Sequence, residues 1–362
     1  MYKIMNRISQ QVTRKNNRQS RRHSRKQSHS YVPSINEKLV SLNSIARPTF
    51  NHCNTVKAFK LIEPLNIYIS KNKCVNYDTI TAKKVLLNRL RANKHIIISK
   101  IIPPKQIDGN CWFNVMFVMF FVSDKGRKFF HFFRQLMIEG KDASGKLIPK
   151  GLKDAFALLN YGVELALTGS KYAVNVDTNF IIVEIFNNIP NEYKINSAIP
   201  DEDEAGNPIE YYKAIMRYLN VNSVSLIDYR MNIDWQHTLA NKIKEIIKET
   251  TKPPHIFVLS VLVNPNVITN KLIKFKVNNI KYILDSASII NDKRQHFSCC
   301  LTCEGKEMGF DGMSFHRIVP MKWKHNLNKN IGWGFKGSDD EGVPLVWNFQ
   351  TCYQQLIYYR YK

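Results

Sequence analysis

QIDGNCWFN, Gln106 to Asn114, runs straight into VMFVMFFV, Val115 to Val122. From Cys111 onward the residues are apolar nearly all round, the pattern of a central helix buried on every side. A cysteine that begins such a helix meets the positive end of the helix dipole and unpaired backbone N–H groups, and both favour thiolate over thiol. Gly109 permits a tight approach to the helix, and Asn110 is expected to cap it. Gln106, five residues before the cysteine, can offer a side-chain amide donor where a tetrahedral oxyanion would form. A cysteine with no task beyond packing would need none of these neighbours. Cys111 is therefore the candidate nucleophile.

Pro103-Pro104 stops regular structure just before this motif, after the expected strand HIIISKII, His95 to Ile102. On the other side, Ser123-Asp124 ends the buried helix and caps a second one. That second helix is predicted over Gly126 to Glu139, where aromatics recur at helical spacing up to Gly140. His131 falls inside it and is expected at the core or its boundary. The middle of the chain, 141–251, mixes helix and loop and includes the acidic turn DEDEAGNP before IEYYKAIMRYL, Ile209 to Leu219. After Lys252-Pro253-Pro254 the pattern becomes β-type in HIFVLSVLV, KLIKFKV, KYILDSASII and HFSCCLTC. Helices first and strands second predict an α+β fold.

A nucleophilic cysteine requires a base. Of the ten histidines, His23 and His29 lie in a basic N-terminal segment, and His316 and His325 follow the β region without strand patterning. His296 opens HFSCCLTCEGKEMGFDG, which reads as a strand, a turn at Glu304-Gly305 and a return strand. With a two-residue turn, Asp311 falls on the same face as His296, directly opposite or one diagonal step away. That is where a carboxylate can orient the imidazole and stabilise its cation. Cys300-x-x-Cys303 evokes zinc, but residues three apart on a strand face opposite sides. Cys299 and Cys303 would be about 13 Å apart, and no second such pair exists. No metal or other cofactor is expected.

The 362 residues carry 53 Lys and Arg against 29 Asp and Glu, a formal charge of +24. Nine of these cations fall between Met1 and Ile35, ahead of the first carboxylate at Glu37. Residues 1–48 are expected to form a basic disordered tail suited to phosphate backbones, an anionic surface or an import receptor. Residues 49–98 lead into a domain over 99–362, with a helical half at about 105–250 and an antiparallel β half at about 251–362. Tyr2 to Ser30 has no secretory apolar stretch. The longest apolar run, Val115 to Val122, is far short of the roughly 20 residues that span a bilayer. Seven cysteines, an odd number spread along the chain, are not expected to form a disulfide framework. These signs place the chain in a reducing intracellular compartment, cytoplasm or nucleus, and not among secreted proteins.

With these residues in view, QIDGNCWFN resembles the cysteine box of ubiquitin-specific proteases, Asn then Leu-Gly-Asn-Thr-Cys-Tyr-x-Asn. Gln106 stands where that family has its oxyanion-hole Asn, and Gly109, Asn110, Trp112 and Asn114 follow the pattern, without the Thr. YILDSASIINDKRQHFSCCLTCEGKEMGFDG resembles the histidine box, and IEYYKAIMRYL resembles the helix that begins Gln-Asp-Ala-x-Glu-Phe, with Glu210 in register and the Gln-Asp missing. The family's paired zinc-binding CxxC motifs are absent. The resemblance spans roughly Ser99 to Trp323. It implies a papain-like cysteine protease fold, Cys111 as nucleophile, His296 as general base, Asp311 as orienting acid and Gln106 in the oxyanion hole. Asn110, Trp112 and Glu210 would then lie along a substrate groove, and the substrate would be ubiquitin or a ubiquitin-like protein. Such chains also occur in large DNA viruses, and the Lys-, Asn- and Ile-rich composition fits that origin, with a place in the virion.

Two alternatives remain at this level. Asp-Gly-Asn-Cys-Trp-Phe also resembles the box of ovarian-tumour-type deubiquitinases, although 66 residues follow His296 and that family's histidine lies near the domain end. The basic tail instead suits a nucleic-acid-associated or virion structural protein that retains an inactive protease fold.

Overall fold

The computed structural model describes residues 65–361, apart from 71–72, 93–94, 108, 171–172, 175, 202–203, 223, 231–240, 242–243, 246–252, 262–270, 292, 314–316 and 336–344. The basic tail and part of the acidic turn therefore lie outside the described residues. In chain order come a hairpin, β1 (Asn66–Ser70) and β2 (Lys73–Asn76), and helix α1 (Ile80–Ala92). The buried helix α2 (Cys111–Phe121) follows, then α3 (Asp124–Phe129), α4 (His131–Glu139), α5 (Lys150–Thr168), α6 (Thr178–Asn188) and α7 (Pro208–Tyr218). The sheet strands are β3 (Leu226–Arg230), β4 (Ile256–Val261), β5 (Lys274–Val277), β6 (Ile280–Asn291), β7 (His296–Cys303), β8 (Lys306–Phe310), β9 (Val319–Pro320) and, after a short helix α8 (Trp323–Asn326), β10 (Tyr353–Tyr361). The chain is α+β.

The eight-stranded sheet runs β3-β4-β10-β6-β7-β8-β9, with β5 paired to the first residues of β6, ahead of the stretch that pairs with β7. Its pairs are antiparallel except β3 with β4, which are parallel. Both faces are covered, which explains why β4 is apolar at nearly every position rather than alternating. Ile256, Val258, Cys299, Leu301 and Tyr359 point into one core shared with the helices. Phe257, Leu259, Leu284, Cys300 and Tyr358 point into a second, closed by Trp323, Trp333 and Trp347. Every side chain of α2 is buried, and this helix lies against β7, β6 and α7.

Several expectations fail here, each for a local reason. His95 to Ile102 is not a strand: Ile98–Lys100 is a 3-10 turn, Ile101 and Ile102 are fully buried, and the Ile102 N–H donates to Ala166 C=O on α5. The predicted helix over Gly126 to Glu139 is two helices joined at Phe130 (φ −90°, ψ 8°). There the buried ring fits between Phe120 and Tyr212, with centroids 4.5 and 4.6 Å away. His131 is exposed rather than part of the core. The sheet also begins before residue 251, with β3, and is mixed rather than purely antiparallel. Cys74 on β2 is disulfide-bonded.

Candidate active site

Cys111 occupies the first position of α2, where the helix's unpaired N–H groups are concentrated. Asn110 stands at the N-cap position, but its side chain makes no capping bond. Its Oδ1 instead accepts from the Ile107 N–H (3.1 Å), folding the preceding loop back over the helix start. Cys299 and Cys300 are buried thiols whose pKa burial pushes well above the ordinary value, and burial raises Cys303 to about 12. Those three suit packing. Cys111 differs from them in sharing a hydrogen bond with an imidazole.

That imidazole is His296, the first residue of β7. The β7–β8 hairpin turns at Glu304-Gly305, with φ of +47° and +71° and Cys303 paired to Lys306. Left-handed values at both central residues match the twist of a two-residue hairpin. Cys299 pairs with Phe310, so the same register sets Asp311 opposite Ser298, one diagonal step from His296. His296 Nε2 lies 2.7 Å from Asp311 Oδ1, and the same oxygen accepts the Met313 N–H at 3.1 Å. Asp311 is fully buried and His296 is 4% exposed. Burial alone would drag the His296 pKa down, but hydrogen bonds to Asp311 and Cys111, and their charges, outweigh it and raise it to about 9.

Gln106 is half-buried and packs against Gly312, the neighbour of Asp311. A Cβ on Gly312 would sit 3.0 Å from Gln106 Cβ and 3.1 Å from its Oε1, so glycine permits this approach. The structure thus gathers Cys111, His296 and Asp311 into one hydrogen-bonded chain and sets Gln106 against Gly312, the residue after Asp311. Asn110 and Trp112 are buried, at 1% and 2% exposure, which suits them to support rather than to touching a substrate. Trp112 packs on Tyr211 of α7 (5.0 Å between ring centres) and beneath Gly206. Glu210, in the first turn of α7, is half-exposed and pairs with Lys213 at 3.0 Å. Trp347, absent from the sequence-based candidates, stands 5.9 Å from the His296 ring. Among the described residues no group of three or more His, Cys, Asp or Glu could hold a metal ion, and no helix is long and apolar enough to cross a membrane.

No family model matches the chain, and no curated protein matches it. Among solved structures, a SAGA DUB module of Ubp8, Sgf11, Sus1 and Sgf73 bound to monoubiquitin is similar at 8% identity. That match covers 79% of this chain and 76% of that one, with a TM-score of 0.44. A second Ubp8-Sgf11-Sgf73-Sus1 module matches at 10% identity over 91% and 92% of the two chains, with a TM-score of 0.40. An essential yeast splicing factor matches at 8% identity over 82% and 84%, with a TM-score of 0.39. Likeness at this level assigns neither activity nor substrate, so the chemistry must rest on the site itself.

The site's chemistry follows from its connections. An imidazole held at about 9 keeps its proton at neutral pH and can donate it. A thiol, an imidazole and a buried carboxylate in this order are the groups that acyl transfer through sulfur requires.

Proposed function

We propose that the chain is a thiol-dependent hydrolase of papain-like arrangement, its helical layer presenting Cys111 to a β layer that carries His296 and Asp311. The observation that carries this reading is the 2.7 Å contact between His296 Nε2 and Asp311 Oδ1, together with the hydrogen bond between the same ring and Cys111. In this reading the Cys111 thiolate attacks a carbonyl carbon. The Cys111 N–H and the Gln106 side-chain amide stabilise the oxyanion, and His296 protonates the departing amine. Neutral His296 then takes a proton from water, whose attack on the acyl-enzyme frees the acid and expels the Cys111 thiolate beside the reprotonated imidazole. The resemblance of the two boxes to those of ubiquitin-specific proteases supports ubiquitin or a ubiquitin-like protein as the acyl donor.

The test is labelling by ubiquitin bearing a C-terminal electrophile. Wild type should form an adduct, Cys111→Ala should form none, and His296→Ala should react far more slowly. No wild-type adduct, with Cys111 no more reactive than the other cysteines toward a small thiol reagent, would sink the reading.

A second activity is favoured by the nine Lys and Arg that precede the first carboxylate. We propose that residues 1–48 bind nucleic acid through their cations and its phosphates. Binding should weaken steeply with salt. Deleting 1–48 should flatten the slope of log affinity against log salt by roughly one for each phosphate the tail neutralises. Salt-independent binding, or an unchanged slope after deletion, would refute it.

A further inference from the structure

Behind the nucleophile lies a closed ring of buried polar side chains. Asn110 Nδ2 donates to Thr178 Oγ1 (2.8 Å), Thr178 Oγ1 donates to Asn114 Oδ1 (2.9 Å), and Asn114 Nδ2 donates back to Asn110 Oδ1 (3.2 Å). All three residues are essentially inaccessible, Asn110 at 1% and the other two at 0%. A buried polar group must find a hydrogen-bond partner or destabilise the fold, so two amides and a hydroxyl in one place need a reason beyond filling space. Asn110 and Asn114 could not settle each other's orientation alone, because an amide can present either its oxygen or its nitrogen. The Thr178 hydroxyl, accepting from one and donating to the other, fixes both.

The ring's outward bonds give that reason. Asn110 Oδ1 holds the Ile107 N–H (3.1 Å), and Asn114 Nδ2 holds the Lys105 carbonyl (3.3 Å). Asn179, next to Thr178, donates to the Ile107 carbonyl (3.0 Å). Gln106 is thus pinned through its neighbours on both sides by side chains of α2 and α6, while Asn110 adjoins Cys111. One network sets the position of the sulfur and of the amide assigned to the oxyanion.

We propose that Thr178 is a positioning residue for the reaction: through Asn110 and Asn114 it locks residues 105–107 so that Gln106 meets the oxyanion. This inference rests on the hydrolase reading above. Its effect belongs to the transition state, because an oxyanion donor matters little until charge develops on the oxygen. Removing the hydroxyl should therefore lower kcat and leave KM nearly unchanged.

The experiment compares Thr178→Val, which keeps shape and loses both hydrogen bonds, with Thr178→Ser, which restores them. Turnover is followed on ubiquitin carrying a C-terminal fluorogenic amide, and hydrogen exchange is followed at the Ile107 amide. Thr178→Val should lose about tenfold or more in kcat with KM within twofold, exchange Ile107 faster, and be rescued by Thr178→Ser. In a Gln106→Ala background the same change should cost almost nothing more, since the two act as one unit. Asn179→Ala, a half-buried position that leaves the ring intact, gives a smaller loss in the same direction and serves if Thr178→Val fails to fold. An active wild type whose kcat survives Thr178→Val, or a loss fully additive with Gln106→Ala, would overturn this inference alone. A wild type with no turnover, despite normal Ile107 protection, would overturn the hydrolase reading and the catalytic purpose of the network with it.

Discussion

His296 holds its proton where a solvent-exposed imidazole would be giving it up. Burial opposes this, and the bonds to Asp311 and Cys111 prevail, raising the pKa to about 9. Because the folded value is raised, the charged form and the stability it contributes are fully present below the unfolded value near 6.5 and are lost as pH rises through about 9. The alkaline limb of the kcat/KM profile should accordingly fall near pH 9. Asp311→Asn removes the stronger of the two partners and leaves burial in place, so that limb should move down by about a unit or more, with activity reduced roughly 10²- to 10⁴-fold. A limb that stays where it was would detach Asp311 from the titration of His296. At this scale Cys111, His296 and Asp311 were legible in the sequence because helix start and hairpin parity are local rules. Thr178 and Trp347 were not, since their contacts join segments far apart in the chain, and no periodic pattern marks such a meeting. Asn110 was half legible: its position at the cap is local, but its side chain answers to a loop and to a distant helix.

The β7–β8 hairpin must hold its register for His296 and Asp311 to meet, and its turn is fastened from outside. Asp124 at the start of α3 accepts from the Glu304 N–H (2.7 Å) and the Gly305 N–H (2.9 Å). Arg127 on the same helix donates to Glu304 Oε1 at 2.7 Å. Ser123 begins that helix by accepting from the Gly126 N–H, so one short element both follows α2 and grips the hairpin tip. Hydrogen bonds to a charged group contribute about 1.5–3 kcal/mol each, and less where water competes. Asp124→Ala should therefore lower stability by about 1–3 kcal/mol, read as a shift in denaturant midpoint with an unchanged slope. Activity of the folded fraction should fall far less than in Asp311→Asn. A midpoint unchanged from wild type would show that the turn needs no external hold. The hairpin itself was legible, from Glu-Gly between two apolar runs. The break at Phe130 was not, because helical spacing continues through it and only the packing of Phe120 and Tyr212 interrupts the helix.

Across the whole molecule, the sheet separates two cores, and the helical one reaches back to the first described residues. Leu65, Ile67, Tyr77, Leu86 and Leu90 belong to the same core as α2 and the inner face of β7. Polar ties accompany them: Lys153 meets Asp78 at 2.7 Å, and Tyr77 donates to Asp154, with Lys153 and Asp154 both on α5. A boundary near residue 99, natural from Pro103-Pro104 and the change in composition, cuts through this core. The sequence hid that continuity because β1 and β2 are short, and α1 carries Lys, Asn and Arg and is apolar on one side only. Likewise β10 lies between β4 and β6 in the sheet although it comes last in the chain, a long-range pairing that local pattern does not announce. Burying each large apolar side chain contributes about 1.5–3 kcal/mol, so loss of the 65–98 segment removes on the order of 10 kcal/mol. That is comparable to the whole net stability of an ordinary domain, about 5–15 kcal/mol. A fragment of residues 99–362 should therefore show no cooperative thermal transition and be cut rapidly by protease, whereas one of 49–362 should melt as a unit. If the shorter fragment melted cooperatively near the temperature of the longer one, the hairpin and α1 would be an appendage on the site-bearing domain rather than part of its core.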